Sequence, residues 1–193
     1  MDVLFFKISF GLLWITYVLI RVPHDKKYKL TEKKRIFANS REKILVSLQF
    51  VGMGIIPWVW ILSPWFDEFS MNLPVLFRYI GILIALLSLW YFWTIHKTLG
   101  INWSPVLELR KDHKLIKSGP FKRIRHPMYA QIWLWSSAQI LIMSNWIAGL
   151  SGIALWAILY FIRVRKEEQM MLEEFGEEYE KYMKQTWRLF PKF

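Results

Sequence analysis

The sequence predicts an all-α, polytopic membrane protein: five transmembrane helices plus an inner loop and C-terminal amphipathic helices. Three observations predict it. Five apolar stretches approach the length of about 20 residues that a membrane span requires. Basic residues gather in alternate connecting segments. The aromatic load, 12 Trp and 14 Phe in 193 residues, exceeds what a soluble domain of this size can bury.

Each span has its own justification. Residues 3–22 carry no charge before Arg21 except Lys7, too long an apolar run for a signal-peptide core, with no small-residue cleavage site before Arg21. Residues 44–66 form the second span, with Pro57 expected to kink it. Residues 74–95 form the third, with Arg78 near its start. The last apolar block breaks at Ser144-Asn145-Trp146, which reads as a tight turn joining spans 128–143 and 146–162. The whole chain, 1–193, reads as one domain.

Charge tests that layout independently. Lys and Arg number 26 against 15 Asp and Glu, a net charge of +11. Nine of the basic residues lie in 21–43, eight in 96–127 and seven from Arg163 onward, while 67–73 and the turn at Asn145 have none. Alternation of this kind follows the positive-inside rule, with the N-terminus outside and the C-terminus cytoplasmic. The basic charge is thereby assigned to topology and anionic membrane lipids, and no nucleic acid partner is expected. With no cysteine, disulfide scaffolds, thiol nucleophiles, Cys-ligated zinc and iron–sulfur clusters are excluded. His24, His96 and His113 lack a partner at metal-ligand spacing, so no metal site is expected. Phosphate-binding glycine loops and nucleophile elbows are missing as well.

Polar sequence is concentrated on the predicted inner side, in 96–127 and in the tail from Arg163. Both segments carry large apolar residues, among them Trp103, Leu107, Phe121, Phe175, Tyr179 and Tyr182, so they are expected to fold against each other. The catalytic part is accordingly placed in 96–193. Within it, Gly119-Pro120-Phe121 marks a turn, and Pro127 suits the first position of the following helix. That helix start, beside Arg125 and His126, has the chemistry of an anion site; anchoring to lipid headgroups is the plainer reading of the same residues. Arg163 and Glu167 share a helix face and either grip a ligand or stand as a snorkelling cation beside solvated acids. Gly176 reads as a helix end followed by a new acidic first turn, with Met171, Phe175, Tyr179 and Tyr182 forming a packing stripe.

Taken together these motifs resemble the isoprenylcysteine carboxyl methyltransferase family of integral membrane enzymes. The resemblance rests on Gly119-Pro120-Phe121, Arg125-His126-Pro127-Met128-Tyr129, Arg163 with Glu167-Glu168, Phe175-Gly176-Glu177-Glu178-Tyr179 and Arg188-Leu189-Phe190-Pro191. It covers roughly 101–191, while the first two spans match only as hydrophobic helices. The compact size resembles prokaryotic members, which implies a prokaryotic cell membrane, or the endoplasmic reticulum were the source eukaryotic.

The resemblance implies S-adenosyl-L-methionine as cofactor and a lipid-modified, prenylated cysteine as acceptor. His113, Lys114, Leu115 and Ile116 fall where the family's loop lines the cofactor, and Phe121 falls where a Tyr is usual. His126, Pro127, Met128 and Tyr129 match its helix-start contacts, Glu167 its cofactor-binding acid and Arg163 its substrate-binding Arg. Glu108 matches a further cofactor contact across a gap, and Gln131 stands where Gly is common. On this reading Glu167 pairs with the cofactor ammonium, and the helix start with His126 receives its carboxylate. Tyr129, Phe121 and Leu115 enclose the adenine. An acceptor carboxylate is already ionised at neutral pH, so the reaction needs alignment by Arg163 rather than a general base. The alternatives are methyl transfer to another lipid or isoprenoid, a sterol-reductase-like NADPH enzyme, and a small transporter without enzymatic activity.

Overall fold

The structure, a computed structural model, describes residues 3–29, 33–37, 39–110 and 114–191, with backbone only for 27–29, 33–36, 101 and 110. It is mostly helical. Helix α1 spans Val3–Lys29 and strand β1 Lys33–Ile36. Helices α2 (Ser40–Phe50) and α3 (Ile56–Leu62) are joined end to end by a π-helical turn at Val51–Ile55. Helix α4 covers Val75–Leu99, strand β2 Glu108–Arg110 and helix α5 Pro127–Met143. Helix α6 runs from Trp146 to Phe175, and α7 covers Glu177–Gln185.

Four of these helical stretches are long and apolar enough to cross a membrane: Val3–Lys26, Ser40–Leu62, Val75–Leu99 and Trp146–Phe175. The expected fifth, α5, exists as a helix of 17 residues, at the short limit for a span. Most helices continue beyond their apolar runs, while the second expected span, 44–66, stops at Leu62. Helix α1 passes through Pro23 to Lys29, and α6 extends from the expected end at 162 to Phe175. Main-chain hydrogen bonding continues wherever backbone geometry allows, whereas hydropathy marks only the part that avoids water. The helices are accompanied by a short two-stranded antiparallel sheet, Ile36 opposite Glu108 and Lys33 opposite Arg110. Four- and three-residue strands are too short to leave a period-two signal.

Local chemistry explains the turns. Ser144 adopts a left-handed conformation and Asn145 caps α6, accepting from the amides of Ile147 (3.1 Å) and Ala148 (2.9 Å). Gly176, at φ +49°, ends α6 where the sequence placed a helix end, and α7 follows with Glu177, Glu178 and Glu180 in its first turn. A π-helical turn, Val51–Ile55, stands directly before Pro57, where the sequence led us to expect a kink. Its freed carbonyls are bonded by side chains: Trp14 Nε1 donates to Met53 O at 2.8 Å, and Ser151 Oγ and Gln139 Nε2 donate to Gly52 O at 2.8 and 3.0 Å. A Cβ on Gly52 would lie 2.6 Å from the Ser151 carbonyl oxygen, so α6 meets the π turn backbone to backbone.

The apolar core runs along α1, α4 and α5 through Phe6, Phe10, Ala85, Leu89, Trp135 and Ile142, all buried. A second cluster, Tyr129, Trp156, Leu159, Tyr160 and Val164, joins α5 to α6 and takes Leu45 and Val46 of α2 against it. It lies directly beneath the site.

Candidate functional site

The tail folds back onto the segment before α5, as the apolar content of both led us to expect. Ile124 and Trp187 form a β-bridge, the Arg125 amide donates to Trp187 O at 2.9 Å and the His126 amide to Arg188 O at 3.1 Å. Tyr182 Oη donates to Phe121 O at 2.6 Å. One acid holds this junction together. Glu168, buried on α6, accepts from Arg125 Nε at 2.7 Å, from Arg188 Nη2 at 2.5 Å, and lies 3.2 Å from His126 Nε2. Such a pair is stable when buried only because every lone pair finds a donor.

Above this junction a cleft opens. Lys114, Leu115, Ile116, Phe121, His126, Pro127, Met128, Tyr129, Arg163, Glu167 and Glu108 all line it, so every described site residue expected from the sequence meets in one place. His113 lies outside the described residues. Pro127 starts α5, as its fixed φ favours, and sets Met128 and Tyr129 on the cleft wall. The cleft also draws on earlier parts of the chain, with Tyr17 and Arg21 from α1 and Val46 and Gln49 from α2.

Electrostatics centre on Glu167. Tyr129 Oη donates to Glu167, Arg163 Nε stands 3.9 Å from Oε2, and His126 Nδ1 stands 3.7 Å from Oε1. The His126 ring therefore faces Glu167 on one nitrogen and Glu168 on the other, and stacks on Tyr129 with ring centroids 5.1 Å apart. Burial pushes the imidazole pKa down, but hydrogen bonds and charge from the two glutamates outweigh it and leave the pKa raised. The His126 ring nitrogens thus both face carboxylates of the chain itself, at the start of the helix where the sequence reading placed a ligand carboxylate.

Arg163 is also more constrained than its spacing implied. Its Nη1 donates to Pro105 O at 2.9 Å and lies 3.6 Å from Glu42 Oε1. Glu42, in the first turn of α2, is buried and accepts from the Leu107 amide at 2.8 Å. Sequence reasoning missed Glu42 because nothing near it marks a motif; the one local signal, Asn39 three residues earlier, marks a helix cap, and the Glu42 amide does donate to Asn39 Oδ1. It named Arg125, Glu168 and Arg188 within motifs without seeing that both arginines bind the one acid. No group of His, Asp or Glu able to hold a metal is found among the described residues.

Chemically, the cleft offers a carboxylate facing a cation, hydrocarbon and aromatic walls, and a mouth next to membrane helices. These features suit a ligand with an ammonium, a flat ring and an apolar portion.

Comparison with known proteins bears on that chemistry. The family model described as "Isoprenylcysteine carboxyl methyltransferase (ICMT) family" matches residues 79–173. The protein-S-isoprenylcysteine O-methyltransferase of Dictyostelium discoideum is 32% identical over 97 residues, 49% of this chain and 40% of that protein. The Homo sapiens protein of the same name is 33% identical over 92 residues, 46% of this chain and 32% of that protein. The chain thus aligns with less than half the length of these relatives. The solved structure of a eukaryotic intramembrane Ras methyltransferase, ICMT, superposes with a TM-score of 0.53 at 22% identity. The superposition covers 81% of this chain and 54% of that one, and it shows a shared fold. The resemblance read from the motifs over roughly 101–191 is therefore matched as far as residue 173: over residues 79–173 this integral membrane protein matches the isoprenylcysteine carboxyl methyltransferase family.

Proposed function

We propose that this protein is an S-adenosyl-L-methionine-dependent methyltransferase that esterifies the α-carboxylate of an isoprenylated cysteine. The observation that carries the reading is the convergence on one cleft of the residues the family resemblance singles out, with Glu167 and Arg163 side by side within it. The cofactor's requirements fit the residues present. The Glu167 side chain keeps 27% of its surface exposed beside Tyr129, which suits an ammonium. Leu115, Ile116, Phe121 and Met128 provide apolar walls for an adenine. When bound, the cofactor supplies an electrophilic methyl group on a sulfonium.

The chain's own residues have three tasks. His126 and Tyr129 fix the Glu167 carboxylate from two sides, so little ordering remains for ligand binding to complete. Arg163, anchored by Pro105 O and Glu42, presents its guanidinium to the acceptor carboxylate and needs to take no proton, because that acid is ionised at neutral pH. The surrounding hydrocarbon excludes water, which favours the joining of an anion to a cationic centre. A prenyl chain reaches the cleft sideways from the bilayer among α2, α5 and α6. We read α5 as a fifth span. By the positive-inside rule we read the basic end of the bundle as cytoplasmic and the N-terminus as outside, in a prokaryotic cell membrane.

The test is methyl transfer from radiolabelled S-adenosyl-L-methionine to a farnesyl-cysteine analogue with protein purified in detergent. Label released by base as methanol identifies a carboxyl ester. Its absence, with the cofactor still bound, moves the acceptor to another lipid.

A further inference from the structure

Beyond α7 the chain returns to the membrane border, carrying side chains that the methyl-transfer reading does not use. Apolar sequence in α6 ends at Ile162 and gives way to Arg163-Val164-Arg165-Lys166, which marks the border between hydrocarbon and headgroups on that helix. The tail comes back to this level. Arg188 is held by Glu168, and Leu189 packs against the cluster of Tyr129, Trp156 and Tyr160 that joins α5 to α6. Trp187 is bridged to Ile124, three residues before α5 begins at Pro127.

Two large side chains of this turn face away from the protein. Trp187 is 55% exposed and Phe190 70% exposed, as are Phe161 (68%) and Ile162 (44%) at the end of the α6 apolar run. Lys122 and Arg123, immediately before Ile124, are exposed too, so cations stand next to the strand that Trp187 joins. The acids of the tail lie elsewhere. Glu177, Glu178 and Glu180 occupy the first turn of α7, whose far end at Gln185 is about 12 Å away along the helix. Exposed aromatic rings with basic neighbours, at the level where apolar helices end, have the composition of an interfacial anchor. The rings enter between headgroups and acyl chains, and the cations meet the phosphates and acidic headgroups.

We propose that Trp187 and Phe190 dock the C-terminal tail on the leaflet at the basic end of the bundle, with Lys122 and Arg123 drawing it to anionic phospholipid. The docked tail ties one wall of the cleft to the membrane surface. Trp187 O and Arg188 O accept from the amides of Arg125 and His126, and Tyr182 Oη donates to Phe121 O. This docking is independent of the acceptor's identity and of methyl transfer itself.

The chain has no cysteine, so Phe190→Cys and Glu177→Cys each accept a single environment-sensitive fluorophore in the full chain. The labelled proteins are placed in nanodiscs of phosphatidylcholine, alone or mixed with phosphatidylglycerol. The probe at 190 is expected to be quenched by spin labels high on the lipid acyl chains and shielded from aqueous iodide; the probe at 177 should show the reverse. Phosphatidylglycerol should raise the docked-to-free ratio at 190. Lys122→Gln and Arg123→Gln should each lower that ratio in the mixed discs by roughly fivefold, the worth of one basic residue beside an anionic leaflet. All four substitutions fall on exposed side chains, and unchanged thermal unfolding confirms an intact fold. A probe at 190 that iodide reaches in both kinds of disc overturns the proposal. Shielding without quenching by the acyl-chain labels also overturns it, since a second copy or another protein would then cover the turn. Equal docking in both lipids, unmoved by the charge variants, overturns the anionic leaflet as partner.

Discussion

Arg163 of α6 and Glu42 of α2 form a buried ion pair, Nη1 to Oε1 at 3.6 Å, that joins a helix inside the family-matched stretch to one outside it. With Glu167 on its other side at 3.9 Å, the guanidinium sits between two carboxylates. On the proposed reading, the acceptor's anion approaches a cation already partly neutralised, in a setting where charges interact strongly.

Replacing Glu42 with Gln keeps an acceptor for the Leu107 amide but removes one of those charges. Steady-state kinetics should show a several-fold lower KM for the acceptor with a lower kcat, as the guanidinium gains attraction and loses one anchor. Glu42→Ala also orphans the Leu107 amide, and should lower Tm by roughly 2–12 °C for the 1–3 kcal/mol such a loss costs. Unchanged kinetics in the Gln variant would separate Arg163 from acceptor binding.

Glu167 and Arg163 should divide binding from turnover. Glu167→Ala is expected to abolish S-adenosyl-L-methionine binding, measured by calorimetry or by filter retention of the radiolabelled cofactor. Arg163→Ala or Arg163→Gln should retain that binding and lose methyl transfer. Wild-type cofactor affinity in Glu167→Ala would remove the acid from its assigned role.

Glu168 is the structural counterpart of Glu167, one residue away and turned to the tail rather than the cleft. Glu168→Ala leaves Arg125, only 12% exposed, without its carboxylate, and a broken buried pair costs about 3–5 kcal/mol. Thermal unfolding in detergent should show a fall of roughly 6–20 °C. Arg188→Ala removes only the more exposed partner, so its effect should be much smaller. A protease probing the chain after Gln185 should cut both variants faster than the wild type.

The His126 pKa is raised above its ordinary 6.5 in the folded protein. Its contribution to stability is present in full below the unfolded-state pKa and is lost as pH rises through the folded-state value. Tm should therefore fall as pH is raised through and beyond neutrality. The groups facing the ring are Glu167 and Glu168, the latter already bound by Arg125 and Arg188. His126→Asn should flatten that slope, and an unchanged slope would assign the titration elsewhere.

Gly52→Ala tests the close approach of α6 to the π turn. Its new methyl group would lie 2.6 Å from the Ser151 carbonyl oxygen, so α6 must move away from the π turn, and the Gln139 and Ser151 bonds to Gly52 O weaken. Overpacking of this kind typically costs about 1–3 kcal/mol, a drop of roughly 2–12 °C in Tm.

Short-range order is what the sequence by itself determined. The apolar runs, the turn at Ser144-Asn145, the start of α5 at Pro127 and the break at Gly176 each follow from side-chain chemistry within a few residues, and each appears where those residues lie. The motifs were legible for a related reason: Arg163 and Glu167 lie one helical turn apart, and His126 and Tyr129 flank one helix start. Tertiary structure alone decided which of these groups face one another. The commitment of His126 to two glutamates, the closure of the tail on Glu168 and the reach of Glu42 from α2 to Arg163 join positions between 20 and 121 residues apart. No local propensity encodes such distances. They are set by how the helices pack, since a buried charge is stable only where packing brings it a partner.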